Sequence, residues 1–110
     1  MSQWTTVCQF QDLTPNTGIC ALFEEEHVAI FYCKRSEQLY AVNNVDPIAR
    51  ASVLSRGIMA SLQGEMYVAS PLYKQHFNLS TGECLEEPEQ QLKTYLIRRE
   101  NDQIQLKQAS

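Results

Sequence analysis

Apolar residues occur along this chain in short runs separated by turn residues, a pattern typical of β-strands. Residues 19–23 and 27–33 are two such runs, and the acidic segment 24–26 between them predicts a hairpin. In the second run both alternating sets of positions are apolar, so we expect this strand to be covered on both faces.

Further strand pairs follow from turn residues downstream. The predicted strands, each pair with its turn, are 59–62 and 65–69 (63–64), 75–79 and 84–85 (80–83), and 94–100 and 103–107 (101–102). Little helix is predicted. Residues 52–57 predict one helical turn, with Ser52 as its cap and Gly57 as its terminator. The pattern therefore predicts an all-β protein.

Length and charge exclude several classes of function. The chain has 110 residues, enough for one domain, and a formal net charge of −4. An acidic balance argues against nucleic acid and anionic membranes as partners, since both attract basic surfaces. No apolar run is long enough to cross a bilayer, and no basic start precedes an apolar stretch. We therefore expect a cytoplasmic protein.

The four cysteines do not predict a metal site or a disulfide framework, because no Cys-x-x-Cys pair occurs. Cys20 and Cys33 lie in apolar runs and are expected to be core thiols, as free cysteines often are. Cys8 and Cys84 are expected to be half exposed.

The two histidines are not placed for catalysis. His27 follows the acidic turn and is expected to be solvated, and His76 is expected on a strand, at the surface or half buried. Neither histidine belongs to a Cys or Ser arrangement that indicates a nucleophile. We therefore predict no catalytic residues in this chain.

Two loops have the frame of a metal site without its ligands. They contain Asp46-Pro47-Ile48 and Ser70-Pro71-Leu72-Tyr73, with Thr81-Gly82 further on. These segments resemble the Cys-Pro-His and Cys-Pro-x-His loops of Rieske domains, in which two thiolates and two imidazoles hold the iron–sulfur cluster. The residues at the four ligand positions are Asp46, Ile48, Ser70 and Tyr73. The resemblance implies a Rieske-like fold with no cluster, no metal and no other cofactor in this chain.

Within that group, the chain resembles the small subunits of bacterial assimilatory NAD(P)H-dependent nitrite reductases. The segments that carry this resemblance are residues 1–4, 17–22, 28–31, 44–47, 52–57 and 68–72. The family implies an antiparallel sheet sandwich with base sheets at about 1–43 and 86–110, and an inserted smaller β subdomain at about 44–85 that carries the two loops.

The same resemblance implies a function. The chain is expected to be a non-catalytic accessory subunit of the cytoplasmic enzyme that reduces nitrite to ammonia in nitrate assimilation. Its partner is expected to be the large subunit, which in this family carries FAD, an iron–sulfur cluster and sirohaem. The alternatives are a stand-alone Rieske-like interaction module and a ferredoxin-type partner of another oxidoreductase, although the missing ligands argue against an electron carrier.

The Rieske frame brings the two loops together at one tip of the molecule. Asp46 and Ser70 each precede a proline and are expected to form local turns, or a hydrogen-bonded cluster with Tyr73. Ile48 and Leu72 are expected at exposed loop tips, where they either close over the place of the missing cluster or form a contact patch. The candidate partner interface consists of Ile48, Leu72, Tyr73, Lys74 and Arg50.

Overall fold

The computed structural model describes residues 3–109, and its regular structure is almost entirely β. Two short 3-10 helices, Phe10–Asp12 and Leu54–Arg56, interrupt the strands. The strands in chain order are β1 (Thr5–Gln9), β2 (Gly18–Phe23), β3 (Glu26–Cys33), β4 (Gln38–Asn43), β5 (Val45–Asp46), β6 (Ala51–Ser52), β7 (Ile58–Leu62), β8 (Glu65–Ala69), β9 (His76–Asn78), β10 (Tyr95–Glu100) and β11 (Gln103–Gln108). The all-β prediction is confirmed.

The strands form three antiparallel sheets and one short ribbon. The terminal sheet has the order β1-β11-β10, the middle sheet β2-β3-β4, and the loop-side sheet β7-β8-β9. Strands β5 and β6 form the ribbon. Strands β5 to β9 start and end within 44–85, the range of the predicted subdomain, and the division into two units stays a prediction.

The middle sheet is covered on both faces, as the apolar run 27–33 predicted. Val28 and Ile30 point to one side of β3, whereas Ala29 and Phe31 point to the other, and all four are fully buried. The first pair packs in a cluster with residues of the terminal sheet, among them Ile104. The second pair packs in another cluster with residues of the loop-side sheet. The middle sheet therefore separates the terminal sheet from the loop-side sheet.

Three two-residue turns join hairpin strands with both residues at positive φ. The turns are Glu24-Glu25 between β2 and β3, Gln63-Gly64 between β7 and β8, and Asn101-Asp102 between β10 and β11. Two left-handed residues in a row match the twist of the flanking strands, which explains the short connections. The acidic turn holds two residues rather than three, because Glu26 pairs with Phe23 as the start of β3.

Two of the cysteine predictions are wrong. Cys20 is exposed, because it lies on the edge strand β2 opposite Ala29, beyond the part of the sheet that the core covers. Cys84 is fully buried, because it forms an isolated bridge with Phe77 and joins the cluster on the loop-side sheet. Cys33 is buried as expected, and all four thiols are free.

The cap of the 3-10 helix Leu54–Arg56 is also different from the prediction. Val53, not Ser52, precedes the helix and its side chain caps nothing. Asn44 supplies the missing contacts instead. Its carbonyl oxygen accepts hydrogen bonds from the backbone N–H groups of Val53 and Leu54 at 3.0 Å, and its Oδ1 accepts one from the Ser55 N–H at 2.7 Å. The Oγ of Ser52 accepts a hydrogen bond from Asn44 Nδ2.

Candidate functional site

The first loop, residues 46–50, folds around a buried carboxylate. Asp46 has no exposed surface, and its Oδ1 accepts hydrogen bonds from the N–H groups of Ile48 at 2.8 Å and Ala49 at 3.1 Å. The Asp46 carbonyl accepts another from the Arg50 N–H at 2.7 Å. This is the local turn expected of an aspartate that precedes a proline.

The second loop, residues 70–74, folds in the same way around a buried hydroxyl. Ser70 has no exposed surface, and its Oγ accepts a hydrogen bond from the Leu72 N–H at 3.3 Å. The Ser70 carbonyl accepts one from the Lys74 N–H at 3.0 Å. Both loops therefore close with the same hydrogen bond, from the fifth residue back to the carbonyl of the first.

The likeness between the loops extends to their sequences. Each reads as a polar residue, proline, an aliphatic residue, any residue and a cation, because Asp46-Pro47-Ile48-Ala49-Arg50 aligns with Ser70-Pro71-Leu72-Tyr73-Lys74. The two cations also share a left-handed backbone, with φ of 57° at Arg50 and 66° at Lys74. This repeat is visible in the sequence, although it was not predicted.

A direct hydrogen bond joins the two loops. Ser70 donates through Oγ to Asp46 Oδ2 at 2.5 Å, with both groups buried. Asp46 and Ser70 are the residues predicted to stand at the cysteine positions of the Rieske loops, and that correspondence stays a prediction. Of the predicted cluster of three, Tyr73 lies outside, because its side chain is 60% exposed.

The loops expose two apolar side chains and retain a third. Leu72 is 50% exposed and Tyr73 is 60% exposed. Ile48 was expected at an exposed tip, but it is half buried and packs against the cluster on the loop-side sheet. Its side chain therefore helps to cover the core beneath the loops, whereas Leu72 and Tyr73 face solvent.

The exposed charges of the two loops are both positive. Arg50 and Lys74 are exposed, while the loops' one carboxylate, Asp46, is buried and hydrogen bonded. The neighbouring acidic residues are already engaged. Glu86 pairs with His76 at 2.7 Å between Oε2 and Nδ1, and Glu87 accepts a hydrogen bond from Gln75. Burial raises the pKa of Glu86, but hydrogen bonds from His76 outweigh it, and the net shift is downward.

The residues at the ligand positions do not fit a Rieske cluster. They provide one carboxylate, one hydroxyl, one phenol and one aliphatic side chain, whereas the cluster needs two thiolates and two imidazoles. Within residues 3–109 no group of three or more His, Cys, Asp or Glu side chains could hold a metal ion. We therefore assign no cofactor chemistry to these loops.

Other reactive side chains lie apart from the loops and from one another. His27 is exposed beside Ser52, with 3.3 Å between Nδ1 and Oγ, and His76 pairs with Glu86. Cys33 borders a surface cleft between the β3–β4 turn and the β7–β8 hairpin. Hydrogen bonds from Ser36 lower the pKa of the Cys33 thiol. Each of these groups is paired with a different neighbour, and none of them lies in the two loops.

The comparisons with known proteins agree on one group. The family model of the Rieske-like [2Fe-2S] domain matches residues 3–107. The nitrite reductase (NADH) small subunit of Escherichia coli strain K12 is 48% identical over 107 residues, which cover 97% of this chain and 99% of that protein. The NMR structure of the E. coli protein NirD superposes with a TM-score of 0.90 at 47% identity, and the match covers 100% of both chains.

One relative is a much longer protein than this chain. The nitrite reductase [NAD(P)H] large subunit of Klebsiella oxytoca is 34% identical over 101 residues, which cover 92% of this chain but 10% of that protein. Nearly the whole domain is therefore similar to one segment of a much longer polypeptide. No helix in the described part of this chain is long and apolar enough to cross a membrane.

Proposed function

Because the chain belongs to the Rieske-like [2Fe-2S] domain family and, within it, to the nitrite reductase (NADH) small subunits, we propose that it is the accessory subunit of an NAD(P)H-dependent nitrite reductase. The enzyme reduces nitrite to ammonia in nitrate assimilation, and we place it in the cytoplasm. Similarity over the full length of both this chain and the E. coli subunit supports the assignment.

We propose that this subunit takes no part in electron transfer. The observation that carries this proposal is the Ser70–Asp46 hydrogen bond, which joins the loops through two oxygen groups. We propose that these two residues replace two ligands of the cluster. The redox groups that the family implies, FAD, an iron–sulfur cluster and sirohaem, belong to the large subunit. The small subunit contributes a surface that binds and supports the large one.

We propose that the two loops, residues 46–50 and 70–74, are that binding surface. Leu72 and Tyr73 are large apolar side chains held in solvent by a hydrogen-bonded loop. Such preorganised aromatic and aliphatic groups are where binding energy concentrates in protein interfaces. Ile48 belongs to the same pair of loops and packs on the core.

The charges of the loops indicate what the partner surface must offer. Arg50 and Lys74 are exposed cations on a chain whose net charge is −4. A complementary surface on the large subunit has an apolar pocket for Leu72 and Tyr73 with acidic groups at its edge. Rim charges of this kind act mainly on the rate of association and on its dependence on salt.

The test compares two leucines of similar exposure on opposite sides of the middle sheet. Leu72→Asp should weaken binding to the large subunit of the same organism by about thirtyfold, or about 2 kcal/mol. Leu96→Asp is the matched control, because Leu96 is 45% exposed but lies on β10 in the terminal sheet. The dissociation constant of the Leu96→Asp variant should stay within about threefold of the parent value, since substitutions at exposed sites away from an interface change affinity little.

The measurement is the dissociation constant of the two purified subunits by biolayer interferometry. Circular dichroism of each variant establishes that the domain is still folded. Parental affinity for a folded Leu72→Asp variant, or equal losses for both variants, would place the interface elsewhere. A failure of the parent chain to bind the large subunit would contradict the proposed function itself.

A further inference from the structure

One relative, a large subunit, contains a segment similar to this domain, and this limits how the domain and the large subunit can be arranged. In the K. oxytoca protein the similar segment and the rest of the large subunit are one polypeptide, so each large chain carries its own copy of the domain. A separate small subunit can dock where the fused segment docks. For the fused segment, this requires that the peptide connecting it to the rest of the large subunit does not cover the docking surface. The positions of the ends are therefore informative.

The first and last strands of this chain are neighbours in the terminal sheet. Strand β1 pairs antiparallel with β11, and Thr5 is opposite Leu106. The start of β1 and the end of β11 therefore lie side by side. A connecting peptide attached at either end leaves the domain from nearly the same place.

That place lies across the middle sheet from the loops. Leu106 packs in the cluster that contains Val28 and Ile30, on one face of β3. The opposite face, with Ala29 and Phe31, carries the cluster that Ile48 packs against. The first and last strands and the proposed docking loops are therefore separated by the middle sheet.

We infer that one copy of this chain docks per large-subunit chain, with its loops toward the large subunit and its terminal sheet outward, so that a tether at either end is compatible with the docked position. This inference rests on the proposed function and adds the stoichiometry and the orientation. A tethered copy occupies the docking site because a short flexible linker gives an effective concentration in the millimolar range.

The first experiment uses the two separate subunits. Native mass spectrometry of the large subunit with excess small subunit should show one small chain per large chain. A saturated complex with any other ratio overturns the inference, whereas no complex at all contradicts the proposed function instead. The two failures are thereby distinguished without any variant.

The second experiment joins the large subunit to this chain through a Gly/Ser linker of about 20 residues, which spans on the order of 25 Å on average. Two versions attach the linker to the start or to the end of the small chain. Each fused protein should bind added, labelled small chain at least about 100-fold more weakly than the unfused large subunit does, because the tethered copy fills the site.

The matched control carries Leu72→Asp in the tethered copy. Its weakened docking should let the free wild-type chain bind again, which excludes a large subunit damaged by fusion. Undiminished binding of free chain to the unmutated fusions would overturn the inference. If binding of the free chain is blocked in one fusion but not in the fusion that uses the other end of the small chain, the outward orientation of the terminal sheet is wrong.

Discussion

At the residue scale, the carboxylate of Asp46 and the hydroxyl of Ser70 hold the two loops, residues 46–50 and 70–74, in their folded form. Asp46 uses both carboxylate oxygens, one for the turn of its own loop and one for Ser70 in the other loop. Ser70 both donates to Asp46 and accepts from Leu72. Because both side chains are buried, removal of either leaves polar groups without partners, which costs more than the bond itself contributes.

The first prediction concerns this pair. Asp46→Ala should lower the free energy of unfolding by about 3 kcal/mol and Ser70→Ala by about 2 kcal/mol, because each leaves buried groups unsatisfied. The double variant should lose about 1 to 2 kcal/mol less than the sum, since the same hydrogen bond is removed twice. Urea denaturation at neutral pH measures all three.

Ser61→Ala is the control for that series. Ser61 is exposed on β7, and its replacement should change the free energy of unfolding by less than about 0.5 kcal/mol. Additive losses for Asp46→Ala and Ser70→Ala would mean that the two side chains do not interact in solution.

The second prediction concerns Tyr95 at high pH. Burial, together with the nearby Glu26 carboxylate, raises the pKa of Tyr95 to about 12. The fold thus favours the neutral phenol. That contribution is complete below pH 10, near the ordinary tyrosine pKa, and is lost as the pH rises from about 10 to about 12. Two pKa units correspond to about 2 to 3 kcal/mol.

The measurement is urea denaturation of the parent chain and of Tyr95→Phe between pH 9 and pH 12. Phenylalanine has no proton to lose, so the parent should lose about 2 to 3 kcal/mol more than the variant over this range. A stability difference between the two proteins that stays constant with pH would contradict the raised pKa.

At the element scale, glycine is needed for different reasons in two turns. Gly64 has φ of 84° in the β7–β8 turn, and a Cβ there meets nothing within 4 Å. Gly82 has nearly the same φ, 83°, but a Cβ there would lie 2.2 Å from the carbonyl oxygen of Leu92. Gly82 also accepts a backbone hydrogen bond from Leu92 through its own carbonyl, so the turn and the segment before β10 fit closely.

The third prediction uses these glycines as a matched pair. Gly64→Ala should cost about 1 kcal/mol, the usual penalty for alanine in a left-handed conformation. Gly82→Ala should cost about 3 kcal/mol, because a steric clash with the backbone at Leu92 is added to the same penalty. Thermal unfolding of both variants gives the comparison, and equal losses would contradict the close approach.

The sequence predicted elements well where turn chemistry and strand pattern were local. The turns at Gln63-Gly64 and Asn101-Asp102, and the strand 27–33 with two covered faces, are present as predicted. Strand β1 was not predicted, because its residues are half polar and it depends on pairing with β11, about a hundred residues away. The burial of Cys20 was misjudged because the sequence pattern does not show that β2 lies at the edge of its sheet. The burial of Cys84 depends on a cluster with residues from distant segments.

The candidate site was predictable in part for the same reason. The substituted ligand positions and the local turns at Asp46 and Ser70 are sequence patterns. The position of Ile48 over the core and the role of Asn44 depend on contacts between distant segments, which a sequence pattern does not contain. The proposed interface at Leu72, Tyr73, Lys74, Arg50 and Ile48 stays a prediction.

At the scale of the whole molecule, the domain keeps a metalloprotein frame and stabilises it with apolar packing. Two clusters of buried apolar residues lie on either side of the middle sheet. Such a core should be stable by itself, because its burial of apolar surface does not depend on bound metal. The four free thiols add no covalent crosslink.

The fourth prediction is that the purified chain is colourless and free of iron. Anaerobic reconstitution with iron and sulfide should leave it so, and neither chelator nor reductant should change its thermal midpoint. Iron analysis, visible absorption and thermal unfolding are the measurements. Stoichiometric iron with visible absorption bands in the parent chain would contradict the prediction.

The control for reconstitution restores the ligand set of a Rieske domain. It combines Asp46→Cys, Ile48→His, Ser70→Cys and Tyr73→His in one variant. Iron uptake by this variant under conditions in which the parent takes up none would show that the side chains, and not the procedure, determine the result.

The hydrogen bond between Ser70 and Asp46 also has a consequence for the supply of the subunit. A bond between two side chains of one chain is complete as soon as the chain has folded, without a delivery step or an assembly protein. Oxygen, which damages exposed clusters, has no target in such a link. Folding of the small subunit should therefore not depend on the supply of iron, even in cells that are short of iron and in which maturation of the large subunit is delayed.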